Sequence, residues 1–338
     1  MSQFFIDYGE FLIRVVTIVI AIVVVIVVAA SAGRKGGHEG LEVESLNKKY
    51  KDLARDLRAA VLTKSARKKK DKQDKKRQKE EDKKESRPRT FVIDFKGDLK
   101  ASAVPSLREE VSAVLDVATD NDEVIVRLEN HGGVVHEHGL AASQLARIRD
   151  KGFPLHVCVD KVAASGGYLM ACVATKIYAA PFAILGSIGV LAQIPNFHRL
   201  LDDHGVDFEQ VTAGKYKRTV TMFGENTDAD RAKLKEELED VHALFKGAVA
   251  QYRPELDLDK VATGEHWYGT RALEFGLADE IKTSDEVLRE RAEKRDLFEL
   301  SYKIKQPLQK RLMANIDSAL EKAAAMRWRH LFESRLPR

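Results

Sequence analysis

The chain has 338 residues and a formal net charge of +4, with 44% hydrophobic and 32% charged residues. That length holds one large domain or two ordinary ones with appendages, and it can bury a core unaided by cross-links. Two cysteines, Cys158 and Cys172, both in apolar surroundings, exclude a disulfide scaffold and read as buried thiols.

Three unlike regions lie behind those averages. After a short N-terminal tail, residues 1–10, comes the run "VVTIVIAIVVVIVVAASAG", Val15 to Gly33, which has no charge. With Phe11, Leu12 and Ile13 ahead of Arg14 it reaches the roughly 20 residues that span a bilayer. It predicts a transmembrane anchor over 11–33, with Arg14 snorkelling to the interface. A cleaved signal peptide fits less well. The run exceeds the usual apolar region of about 7–15 residues, and Asp7 and Glu10 stand where a basic cluster is expected.

Residues 34–89 read as a basic stalk, helical or disordered. Leu46 to Thr90 holds 19 Lys/Arg against 8 Asp/Glu, a local charge of +11 that leaves −7 for the rest of the chain. This composition cannot bury a core. No aromatic residue lies between Lys51 and Thr90 to stack bases, so nucleic acid is not the expected partner. A solvated stalk that leans on anionic headgroups is. The Arg34–Lys35 flank biases the C-terminal side of a single-pass anchor in an inner or plasma membrane towards the cytoplasm, and leaves the domain's side open.

From residue 90 to 295 the pattern is that of an α/β domain with a mainly parallel sheet. "TFVIDF" is a strand, and "VPSLREEVSAVLDVAT" a helix with Leu107, Val111, Val114 and Leu115 on one face. "EVIVRLE" is a strand that ends in a glycine turn, Gly132–Gly133, and "LAASQLARIRDKG" a helix. "FPLHVCVD" is a third strand, followed by Ser165 and the helical "YLMACVA". "KIYAA", "FAILGSIGVL" and "DFEQVTAG" are further extended pieces, and Thr227 caps a long helix. Residues 296–338 predict an amphipathic helical extension for packing, assembly or a membrane surface.

The chemistry centres on "DKVAASGGYLMAC". A serine is a poor nucleophile without a base and without donors for the oxyanion. Ser165 at a strand-to-helix elbow offers both geometries, with the Gly166 N–H as one donor. A second donor comes from the Gly132–Gly133 turn, because turns after neighbouring parallel strands end on one side of the sheet. "TAGKYKRT" places Lys215 and Lys217 after a further strand, and a lysine serves as base only when burial depresses its pKa. Alone, a Lys-x-Lys reads as two surface charges.

Four segments in order, "VDKVAASGGYLMAC", "APFAILGSIGV", "TAGKYKRT" and "ATGEHWYGTRALEFGLADEI", closely resemble the signal-peptide peptidase family of Ser–Lys serine proteases and its membrane-anchored branch. The resemblance implies a ClpP/crotonase-like α/β spiral of ββα units and an endopeptidase acting on hydrophobic peptides such as remnant signal peptides. It implies Ser165 as nucleophile, Lys217 as general base and acid, and Ser187 as the hydroxyl that orients the lysine. It implies Gly133 and Gly166 as oxyanion donors, no cofactor, and homo-oligomers that enclose the sites. The chain departs from the family at Asn130-His131, where Ser-Pro is usual. Losing proline loosens the turn, and His131 becomes an alternative base for Ser165. His136 and His138, two apart in "HEH", do not share a helical face, so no metal site is expected. A crotonase-type acyl-CoA enzyme on the same fold and a non-catalytic membrane scaffold are the competing readings.

Overall fold

The structure, a computed structural model, describes residues 9, 11–18, 39–81, 87–214 and 216–305. The chain divides into two units, Leu41–Tyr302 and a second made of residues 1–40 and 303–338. In the second unit, residues 11–18 are helical and exposed. Among the described residues no helix is long and apolar enough to cross a membrane. From residue 19 onward the expected anchor over 11–33 lies outside the described residues, as does the expected C-terminal helix from residue 306.

The larger unit runs β1 (Gly40–Ser45), α1 (Leu46–Val61), α2 (Lys64–Glu81), β2 (Arg89–Gly97), α3 (Val104–Val117), β3 (Glu123–Asn130), α4 (Val135–Asp150), β4 (Leu155–Val159), β5 (Val162–Ala164) and α5 (Gly166–Ala171). It continues β6 (Lys176–Ala179), β7 (Ile184–Gly186), α6 (His198–Asp203), α7 (Asp228–Tyr252), α8 (Leu258–Val261), β8 (His266–Tyr268), α9 (Gly269–Glu274), β9 (Glu280–Ile281), α10 (Ser284–Lys294) and β10 (Asp296–Lys303). The main sheet has the order β1-β10-β2-β3-β4-β6-β9, and from β10 to β9 every pairing is parallel. A branch leaves it where Asn130 pairs with Ala163: β5 pairs parallel with β7, which pairs antiparallel with β8.

Period-2 alternation in β2 places its side chains on both faces. Phe91, Ile93 and Phe95 join one buried cluster with Leu107, Val111 and Val114 of α3 and Ala141, Leu145 and Ile148 of α4. Val92 joins the other, with Ile125, Cys158, Tyr178, Leu297 and two residues of α10, Val287 and Leu288. Each large apolar side chain so buried contributes about 1.5–3 kcal/mol. The Thr227 cap is a full capping box closed by Asp230, which starts α7 where the sequence places it.

Three segments differ from the sequence reading. "DFEQVTAG" forms no strand, and residues 207–214 are exposed without a regular element. Strand-forming side chains need a pairing edge, and among the described residues no strand pairs with this segment. The first part of the expected stalk is folded: β1 lies next to β10, Leu46 is buried, and Asn47 binds the carbonyls of Ala292 and Arg295 and the N–H of Leu297. The basic charge of this region instead concentrates in α2. The start of the expected C-terminal helical extension is β10, which pairs with β2 from Asp296↔Arg89 to Leu300↔Ile93.

Candidate active site

Two strands of the branch stop in the same way. Ala164 of β5 pairs with Gly186 of β7, and the residues that follow, Ser165 and Ser187, take φ of 52° and 51°. Ala101 (φ 46°) is the one other non-glycine residue with positive φ among the described residues. Such backbone costs on the order of 1–3 kcal/mol per residue and persists where the surroundings enforce it. Here the Ser165 N–H donates to Gly186 O at 2.8 Å and the Ser187 N–H to Glu265 O at 2.6 Å. The elbow turns the chain directly into α5, whose Leu169 N–H returns to Ser165 O at 3.0 Å. Both serines are half-buried, and neither hydroxyl is hydrogen-bonded to another described residue.

The Gly132–Gly133 turn lies against this elbow. Gly132 has φ +85°, and a Cβ there would stand 2.7 Å from Ser165 Cβ and 2.8 Å from Gly166 N, so only glycine fits. The turn is fixed from outside by Val134, whose N–H donates to Leu99 O at 2.9 Å. Among the described residues the N–H groups of Gly133 and Gly166 make no backbone hydrogen bond.

Ser165, Gly133 and Gly166 open onto one cavity of about 130 Å³. Val135, His138 and Gly139 of α4 form one wall, and Val241, Leu244, Phe245 and Ala248 of α7 form another. Those α7 positions follow the 3–4 spacing that puts them on one face, and His242 ties α7 to the Ile188 carbonyl at 3.2 Å. No Asp, Glu, Lys or Arg lines the cavity. It approaches the size of engineered cavities of about 150 Å³ that take up one benzene, so it suits a single apolar side chain.

The structure brings Ser165, Ser187, Gly133 and Gly166 to neighbouring strand ends and turns; it does not bring Lys217 with them. Lys217 stands exposed on the turn after Gly214, its N–H on Gly214 O at 3.1 Å. Its ammonium makes no hydrogen bond or ion pair with another described residue, so the dry setting expected for it is not supplied by the surrounding loop. Lys215 lies outside the described residues. His131 is exposed and its ring has no hydrogen-bond partner among the described residues. The thiols do not compete for the chemistry: burial pushes both Cys158 and Cys172 up to about 12. Among the described residues no group of three or more His, Cys, Asp or Glu could hold a metal ion.

Two residues of this site were not legible as such. Asn130 and His138 are both fully buried, and they bind each other and the glycine turn. In the sequence His138 stands in "HEH", where only a metal would give it a role, and Asn130 stands as a departure from the family's turn. Their spacing of eight residues across strand, turn and helix has no sequence signature.

Comparison with known proteins matches residues 3–145 to Peptidase family S49 N-terminal and residues 147–297 to Peptidase family S49. The chain is 46% identical over 326 residues to the Probable protease SohB of Haemophilus influenzae, covering 92% of each chain. It is 53% identical over 231 residues to the Probable protease SohB of Buchnera aphidicola subsp. Acyrthosiphon pisum, covering 68% of this chain and 69% of the relative. Of solved structures, the 1510-N membrane-bound stomatin-specific protease overlays with a TM-score of 0.41 at 13% identity, over 68% of this chain and 98% of that one. With family matches over both parts of the chain and relatives of this identity, the chain belongs to peptidase family S49 and is a peptidase.

Proposed function

We propose that this peptidase is a membrane-anchored serine endopeptidase that cleaves hydrophobic peptides, such as remnant signal peptides or misfolded membrane-associated chains. The observation that carries the reading is Ser165: a hydroxyl on a strained elbow that shares an apolar cavity with Gly133 and Gly166. In this reading the Ser165 oxygen attacks the scissile carbonyl and Lys217 takes its proton. The N–H groups of Gly133 and Gly166 hold the oxyanion, and Ser187 orients the amine. Lys217 then gives the proton to the leaving amine, and water hydrolyses the acyl-enzyme. The cavity takes the apolar side chain next to the cut bond. No cofactor takes part.

Lys217 is assigned from the order of its segment in the sequence, and its exposure in the single chain implies that a further element covers it. A homo-oligomer supplies that cover: a neighbouring copy closes over the loop and the cavity. The run from Val15 to Gly33 anchors the chain in a cell membrane by a single pass, in contact with lipid. The branch of β5, β7 and β8 off a parallel sheet supports a ClpP/crotonase-like spiral. Family membership sets aside the acyl-CoA reading, and no role in binding nucleic acid is proposed.

Labelling with a fluorophosphonate tests the dyad. Wild type labels, Ser165→Ala does not, and Lys217→Ala labels poorly near neutral pH. Equal labelling of all three removes both assignments.

A further inference from the structure

The departure at Asn130 is compensated by its own side chain. Asn130 ends β3, and its Oδ1 accepts the Gly132 N–H at 2.9 Å, an Asx turn that pins the backbone two residues on. Its Nδ2 donates to Met170 Sδ at 3.3 Å. These two contacts fix the amide, since the flipped form would set NH₂ against the Gly132 N–H. His138, in the first turn of α4, faces the same Oδ1 with Nε2 at 3.2 Å and faces Val134 O with Nδ1 at 3.0 Å. Both ring nitrogens therefore meet oxygens that can only accept. The ring also lies on α5: a Cβ at Gly166 would stand 2.5 Å from His138 Cγ. One pair of side chains thus touches the end of β3, the glycine turn and the first residue of α5.

We propose that Asn130 and His138 are positioning residues for the oxyanion donors, setting the Gly132–Gly133 turn against Gly166 in place of the stiffness proline gives elsewhere. This rests on the reading of Ser165 as nucleophile with Gly133 and Gly166 as donors. The ring stands between Val134 O and Asn130 Oδ1 and so ties the first turn of the helix α4 to the end of β3. The other titratable groups on the packed elements are engaged elsewhere. Glu129 of β3 is held by Lys161, Glu110 of α3 by the Tyr302 N–H, Tyr168 of α5 by Leu277 O, and His242 of α7 by Ile188 O. On α4 itself, His136 and Glu137 face each other at 3.8 Å.

The test is the rate of fluorophosphonate labelling of the full chain, resolved into probe affinity and maximal rate. His138→Leu removes both ring contacts while leaving an apolar side chain in the cavity wall, so probe affinity changes little, whereas a turn displaced by about 1 Å lowers the maximal rate about 10²-fold. Asn130→Ala removes the acceptor that Gly132 and His138 share, and lowers the maximal rate likewise. His138→Gln, which restores one donor, recovers a large part of the loss. A wild-type rate in folded His138→Leu overturns the proposal, as does equal loss in Leu and Gln. If His138→Leu does not fold, a wild-type maximal rate in folded Asn130→Ala overturns it. Continued labelling of Ser165→Ala defeats the nucleophile assignment itself, and the positioning role with it.

Discussion

Alanine at Gly167 and alanine at Gly247 are chemically the same change in two helices, and the structure assigns them opposite outcomes. In a helix interior alanine is favoured over glycine by about 1 kcal/mol. At Gly247 of α7 an added Cβ meets nothing within 4 Å, so that gain stands alone. At Gly167 of α5 the same Cβ would lie 2.2 Å from the carbonyl oxygen of Asn130 and 3.0 Å from its carbon. The obstacle is backbone at the end of β3, in register with Ala163 and Gly97, and it has no rotamer to swing. Restoring ordinary contact requires about 1 Å of separation between α5 and β3. Overpacking of that kind costs about 1–3 kcal/mol, which exceeds the propensity gain. It also pushes Ser165 and Gly166 away from the Gly132–Gly133 turn, and such a misplacement costs about 10²-fold in rate. Chemical denaturation and fluorophosphonate labelling, run side by side, measure both. Gly247→Ala is expected to be slightly more stable and to label as wild type. Gly167→Ala is expected to be less stable and to label far more slowly. A Gly167→Ala protein of raised stability and full labelling refutes the claim that this approach sets the elbow.

Other outcomes follow from the site and its frame. His131→Pro, the residue usual in the family, is expected to leave labelling intact with Lys217 as base, and its loss would make His131 the base. Burial, first, and the nearby Asp94 charge push Glu110 up to about 7, against the pull of the Tyr302 N–H on its Oε1 at 2.7 Å. Its folded value lies above its unfolded one, so its contribution is fully present below pH 4.5 and is lost as pH rises through 7, by about 3 kcal/mol. Glu110→Gln keeps the acceptor for Tyr302 and removes the titration. Its denaturation midpoint between pH 5 and pH 8 should be flat relative to wild type and higher at pH 8; parallel curves would contradict this. Asp122 and Glu123 are both held at about 2, and stability from them is complete above their ordinary range and lost in acid, outside that window.

The parallel core was legible because its strands are buried on both faces and read as short apolar runs: "TFVIDF", "EVIVRLE" and "FPLHVCVD" are β2, β3 and β4. The elbow was legible because a serine before two glycines needs a reason, and Gly132, Gly166 and Gly167 all stand where a Cβ would collide. What escaped was non-local. Asn47 sits in a segment whose composition says stalk, yet it bonds residues about 250 positions away. "HWY" at β8 is too short to announce a strand and exists because β7 offers it an edge. Composition misleads in the opposite direction at 206–211, where Val206, Phe208 and Val211 have strand propensity and stay exposed outside any strand.

That exposed segment bears on the base. A lysine that takes a serine's proton needs an environment that favours the neutral amine, and such an environment is apolar and closed to water. The cavity beside Ser165 has that character, whereas the turn carrying Lys217 does not. The stretch leading to the turn is also unusually apolar for a surface: Leu191, Leu200 and Val211 are 75%, 55% and 96% exposed. Contiguous exposed apolar surface marks a place of association. If a second copy of this chain covers it, dryness at Lys217 and assembly are one event, and the labelling rate per chain must fall when the protein is diluted through the range where sedimentation shows the assembly coming apart. A labelling rate that stays constant in a dilute monomer breaks the link between assembly and the base, and then the loop itself must close over Ser165 when a peptide binds.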